Sequence, residues 1–224
     1  MNIDTARKNA CATLWKGMAM FYLGLDLGQR HDPTAIAVVE RIDLAQAWQA
    51  TQFQSLRVRH LERVALGTPY PGVVARVREI VQKVQELGTC ALAVDGTGVG
   101  APVVDMLRAA RIGCDITAVT ITGGEQQRNN GAAWSVPKRD LLALVQVLLE
   151  RNELRLAKGL RELGPLVREL TDVRSTTKAN GRERLGADGC GEHDDLVIAV
   201  ALACWRARRP QIGHGRGPVP GVSW

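Results

Sequence analysis

Three stretches place carboxylates where apolar side chains would be expected. Phe21-Tyr22-Leu23-Gly24-Leu25-Asp26-Leu27-Gly28 is a short apolar run closed by glycine, and Asp26 sits near its end. Cys90-Ala91-Leu92-Ala93-Val94-Asp95 ends on Asp95, and His193-Asp194-Asp195 opens a long apolar segment reaching Trp205. A carboxylate in such a setting is costly unless a hydrogen bond, a basic partner or a metal ion compensates it. If the three stretches converge, the carboxylates also repel one another. Divalent magnesium or manganese removes both problems, and an oxygen-only ligand set suits these hard ions. Two such ions, roughly 4 Å apart, can hold the attacking water and the leaving oxygen of a phosphodiester. In that arrangement Asp26 bridges the ions, Asp95 serves one and Asp195 the other. Asp194 is a further ligand or orients a water, and His193 is a neighbour of the helix start rather than a ligand.

Each residue has an ordinary alternative. A strand aspartate such as Asp26 is often a structural acceptor. Acids at a helix start, such as Asp194 and Asp195, cap the helix and meet its dipole. Two adjacent acids exceed the needs of one cap, however. The glycines after Asp95, in Gly96-Thr97-Gly98-Val99-Gly100, either cradle phosphate or make a tight strand-to-helix connection.

The elements that must position these residues follow from periodicity. Residues 21–28 read as a buried strand with Phe21, Leu23, Leu25 and Leu27 on one face and Tyr22, Gly24 and Asp26 on the other. Thr34 to Ile42 reads as a second, antiparallel strand, and a third falls within Gln52 to Leu66. Pro71 to Leu87 is a helix with Val73, Val74, Val77, Ile80, Val81, Val84 and Leu87 on its apolar stripe. Cys90 to Asp95 is a strand in which Ala91, Ala93 and Asp95 share a face. Pro102 to Ala110 is a helix and Ile116 to Ile121 a strand. Gly123 to Trp134 reads as a polar loop, with Ser135 and Pro137 starting a helix to about Glu150. Pro165 opens a short helix. Residues 172–191 are basic and glycine-rich and read as a hairpin or loop around an Asn180-Gly181 turn. In the last helix, from about Asp194 to Arg208, Asp195, Ala199 and Ala203 form one stripe. Small residues there let the helix approach a sheet and carry Asp195 towards the strand carboxylates.

This order implies a mixed α/β sheet, three antiparallel strands then parallel ones, with helices on both faces. The expected division is an extension over 1–20, one domain over 21–209 and a loose tail over 210–224. The 224 residues are 46% hydrophobic with a net charge of +6, a globular composition compatible with nucleic acid. No apolar run is long enough for a membrane span. The five scattered cysteines include no C-x-x-C pair, which disfavours zinc and suits a reducing cytoplasm.

The strand ending Gly24-Leu25-Asp26-Leu27-Gly28, with Asp32-Pro33-Thr34-Ala35 after it, resembles the first acidic motif of the nuclease domain in phage large terminase subunits. Val94-Asp95-Gly96-Thr97-Gly98-Val99-Gly100 resembles the second motif. Val136-Pro137-Lys138-Arg139-Asp140, Pro165 to Val173 and His193 to Ala203 resemble the later helices and the third acidic motif. The resemblance runs from Phe21 to Arg208. It implies an RNase H-like fold, catalytic and metal-binding roles for Asp26, Asp95, Asp194 and Asp195, and hydrolysis of double-stranded DNA during packaging. Asp32 also fits the family pattern, although a turn role is expected for it. Lys178, Arg182 and Arg184 would lie where that family carries a hairpin near DNA, and Lys138 and Arg139 are further candidate phosphate contacts. No Gly-x-x-x-x-Gly-Lys-Ser/Thr loop is present. The chain is therefore expected to lack the packaging ATPase and to work with a separate terminase ATPase or small subunit, in the bacterial cytoplasm. Competing readings are a RuvC-like Holliday-junction resolvase, an actin-like ATPase or sugar-kinase domain, and a non-catalytic DNA-binding module.

Overall fold

The computed structural model describes residues 19–28, 32–44, 53–98, 100–131, 133–177, 183–186 and 194–209. The run that carries Asp26 forms strand β1 (Met20–Asp26), at the centre of an eight-stranded sheet. β2 (Ala35–Leu44) and β3 (Phe53–Arg63) continue it antiparallel on one side. On the other side β4 (Thr89–Asp95) and β5 (Asp115–Thr122) run parallel to β1. The short strands β6 (Arg128–Asn129), β7 (Trp134–Pro137) and β8 (Leu154–Leu156) complete the order β6-β7-β5-β4-β1-β2-β3-β8. This is the mixed sheet expected from the sequence.

Alternation along β1 separates two cores. Phe21, Leu23, Leu25 and Leu27 pack with Leu92 and Val94 beneath helices α1 (Tyr70–Gln85) and α2 (Gly100–Ala109). Tyr22 packs with Ala91 and Ala93 on the opposite face, beneath α3 (Lys138–Glu150), α4 (Leu163–Asp172) and α5 (Asp195–Ala207). Helix α5 is buried along its whole length, which is why its sequence is apolar all round rather than striped. At its far end Arg209 stacks over the rings of Trp205 and Trp134, at 3.7 and 4.5 Å from their centroids, and ties the helix to β7.

Four details differ from the sequence reading. Leu87 lies beyond α1 and is exposed. The polar segment before Trp134 contains β6, and Trp134 to Pro137 are strand rather than helix start, because Val119 to Thr122 offer them a parallel edge and Val136 fills the core. Helix α3 therefore begins at Lys138, with Pro137 extended before it. β8 is a three-residue strand with no periodicity of its own, held by pairing to β3. Residues 172–191 do contain a hairpin, β9 (Arg174–Thr177) with β10 (Glu183–Gly186), but Thr177 faces Glu183. A two-residue Asn180-Gly181 turn would pair position 179 with 182, so the observed register is shifted by one residue. The extension through residue 18, the tail from Pro210, and the turn itself lie outside the described residues.

Candidate active site

Parallel pairing sets Leu25 beside Val94, which brings Asp26 and Asp95 to the same end of neighbouring strands and the same face of the sheet. Helix α5 crosses that face antiparallel to β1. Its C-terminal Ala207 carbonyl accepts a 3.0 Å hydrogen bond from Arg41, whose backbone is paired with Met20 at the start of β1. Its middle rests directly on Gly24. A Cβ at residue 24 would fall on the Ala199 carbonyl oxygen and lie 2.8 Å from the Ala203 nitrogen. The glycine in β1 and the alanines in α5 are thus two halves of one close approach, and its effect is to deliver Asp194 and Asp195 over Asp26.

The electrostatics reflect that convergence. Burial first, then the charges of Asp95, Asp195 and Asp194, push the Asp26 carboxyl well above the usual range, while the Lys138 ammonium opposes them. Burial also raises Asp95, against hydrogen bonds from the Thr97 hydroxyl and N–H, which lie 2.5 and 2.8 Å from Oδ1. The Thr97 hydroxyl accepts in turn from the Ile121 N–H at 2.9 Å. Gly100 begins α2 against the Asp95 carbonyl, where a side chain would clash. This favours the tight-connection reading of the glycines after Asp95.

Capping does not account for Asp194. Asp194 is the N-cap residue and makes no side-chain capping hydrogen bond. The Val197 N–H is instead taken by Glu169 of α4 at 3.0 Å. Glu169 and its ion-pair partner Arg63 are site neighbours that the sequence reading did not single out. Arg63 Nε lies 3.9 Å from Asp195 Oδ2. Glu169 left a signal: it is the one acid in line with Leu166 on the inner side of α4, both being buried. Arg63, at the end of an alternating strand, left none.

The candidate DNA contacts separate. Lys138, at the start of α3, points into the acidic cluster, with Nζ 2.5 Å from Asp194 Oδ2. Arg139 is more exposed and donates to the Glu125 carbonyl at 3.0 Å. Arg184 lies on β10, which rests against α3, whereas Lys178 and Arg182 fall outside the described residues. His193 also falls outside them, and Asp32 lies in the connection between β1 and β2.

Among the described residues, no three acidic, histidine or cysteine side chains close on one point as they stand. Asp95 is turned onto Thr97 and Asp194 onto Lys138. The donor set nonetheless fits divalent magnesium or manganese: four carboxylates gather at one end of the fold, and burial together with the other three charges raises Asp26.

A pH dependence follows for the metal-free protein. Burial pushes Glu169 up to about 7, from an ordinary 4.5, and Asp26 also lies above its ordinary 3.8. Between those limits the folded chain holds protons that the unfolded chain has released, so stability falls as pH rises. Glu62 is held low by Arg76 and acts in the opposite sense, but only below its ordinary 4.5. Urea midpoints in EDTA are therefore expected to fall from about pH 5 to about pH 7, and magnesium should flatten the decline. A midpoint constant across that range in EDTA would contradict the burial of Glu169 and Asp26.

No family model and no curated protein matches the sequence. Solved structures do match. The large terminase nuclease from thermophilic phage G20c with bound magnesium is 22% identical, with a TM-score of 0.60 over 86% of this chain and 84% of that one. The large terminase nuclease domain from bacteriophage SPP1 with bound manganese is 14% identical, with a TM-score of 0.51 over 89% and 91%. The large terminase of bacteriophage HK97 is 16% identical, with a TM-score of 0.53 over 86% of this chain and 41% of that longer one. No helix among the described residues is long and apolar enough to cross a membrane.

Proposed function

We propose that this chain, which has the RNase H-like fold of large-terminase nuclease domains, is a metal-dependent endonuclease that hydrolyses DNA phosphodiester bonds. The observation that carries this reading is the meeting of Asp26, Asp95, Asp194 and Asp195 at one end of the sheet, with Asp26 driven up by burial and then by the other three charges. Asp26, Asp95, Asp194 and Asp195 would hold the magnesium or manganese ions. The bound ions would activate a water and stabilise the departing 3′-oxygen. The fold supplies what this chemistry needs. β1 and β4 hold two carboxylates on rigid strands, and the Arg63–Glu169 pair fixes the first turn of α5 beneath Asp195. Lys138, Arg139, Lys178, Arg182 and Arg184 would meet backbone phosphates, giving sequence-independent contact with double-stranded DNA.

On this reading residues 21–209 form the nuclease domain. It works in the cytoplasm of a bacterial host during packaging of phage or prophage DNA, beside a terminase ATPase or small subunit. Digestion of supercoiled plasmid in EDTA, magnesium and manganese tests it. Nicked or linear product is expected with either metal and not with EDTA. Intact plasmid in all three conditions would reject the endonuclease reading. A marked preference for four-way junctions would move the assignment to a resolvase.

A further inference from the structure

The Lys138 ammonium, at the start of α3, lies within the acidic cluster. It lies 2.5 Å from Asp194 Oδ2 and is about one-third exposed. Its charge also opposes the rise of Asp26 and of Asp95, so it is felt by carboxylates on three different elements. Yet the contact is poorly directed: Asp194 Oδ2 is buried and, among the described residues, receives no aligned hydrogen bond from Lys138 or from another donor. Ammonium and carboxylate are held by charge rather than by fit. Lys138 is the first residue of α3, and β7 and Pro137 set its backbone. The side chain can therefore leave Asp194 without disturbing the sheet.

We propose that Lys138 is a displaceable internal counter-ion, which neutralises the acidic cluster in the metal-free protein and competes with divalent metal for Asp194. This rests on the metal-dependent reading above. A divalent ion brings twice the charge of an ammonium and accepts several oxygen ligands in directed geometry. Lys138 should therefore be driven off Asp194 as metal loads. The freed ammonium then stands at the mouth of the cluster, where a phosphate of DNA would arrive. Metal loading and phosphate attraction become coupled: Lys138 is spent on Asp194 before the metal binds and available to DNA after it.

The test is manganese binding to the 224-residue chain without DNA, followed by titration calorimetry or by the EPR signal of free manganese. Lys138→Met removes the competitor and is expected to bind manganese about tenfold more tightly than the wild type. Lys138→Arg keeps a cation and is expected to stay within about threefold of it. Circular dichroism confirms that each variant is folded. Equal or weaker binding by Lys138→Met would overturn the proposal, since Lys138 would then be idle or would organise Asp194 for the metal. Asp26→Asn separates the two levels of the argument. If it binds manganese as the wild type does, the ions lie elsewhere and the functional reading falls too. If it loses binding while Lys138→Met is unchanged, only the counter-ion role falls.

Discussion

Asp26→Asn should lower metal-dependent plasmid cleavage by at least about a thousandfold, roughly 4 kcal/mol of transition-state stabilisation, and should make the metal-free protein more stable. The two effects have one cause. Asp26 lies between Asp95 on the neighbouring strand and the two acids of α5, and all three push its carboxyl upwards. Without metal its charge is a liability, and an isosteric amide relieves it. With metal, on the proposed reading, that charge would be a ligand that metal binding depends on. A merely structural aspartate would behave differently: its replacement would cost stability, and activity would fall only as the fold failed. Opposite signs in the two measurements, urea unfolding in EDTA and plasmid digestion in magnesium, therefore separate a ligand from a scaffold. Asp195→Asn is expected to lose cleavage in the same way.

Gly24→Ala should destabilise the protein by about 3 kcal/mol or more and reduce cleavage over a hundredfold in whatever folded protein remains. The added methyl has no room. Its nearest neighbours are the carbonyl of Ala199 and the nitrogen of Ala203, both backbone atoms of α5. Backbone cannot rotate aside as a side chain can, so the helix must lift from the sheet. Asp195 is one turn before Ala199 on that helix and would move away from Asp26 with it. Gly123→Ala is the control, because a Cβ there meets nothing within 4 Å. It should change stability by less than about 0.5 kcal/mol. Equal effects at the two glycines would mean that α5 does not depend on the close approach at residue 24.

These two positions show why the centre of the fold was legible before any coordinates. In β1, the side-chain alternation that put Gly24 beside Asp26 is a property of any strand, and it held. Asp195, Ala199 and Ala203 recur at four-residue spacing, and small residues on a helix mean close approach whatever the partner. Gly24 too lacks bulk, but its pairing with Ala199 and Ala203 is seen only in the structure. Arg63 could not be found in this way. Its meaning depends on Glu169 of α4 and Asp195 at the start of α5 lying beside the end of β3, which is a fact of tertiary packing and not of local pattern. The same holds for β7 and β8, whose few residues become strand only because β5 and β3 offer edges to pair with. Lys138 illustrates a third case. Its basic charge pointed to phosphate, but the sequence could not show that the nearest anion is Asp194 of the same chain.

The central claim is that Asp26, Asp95 and Asp195, distant along the chain, share divalent cations. Anomalous diffraction from crystals grown with manganese tests it most directly. Two anomalous peaks are predicted at the end of the sheet, bounded by these three carboxylates, and neither peak should survive Asp26→Asn. A wild-type crystal saturated with manganese whose peaks all lie away from that end would contradict the account.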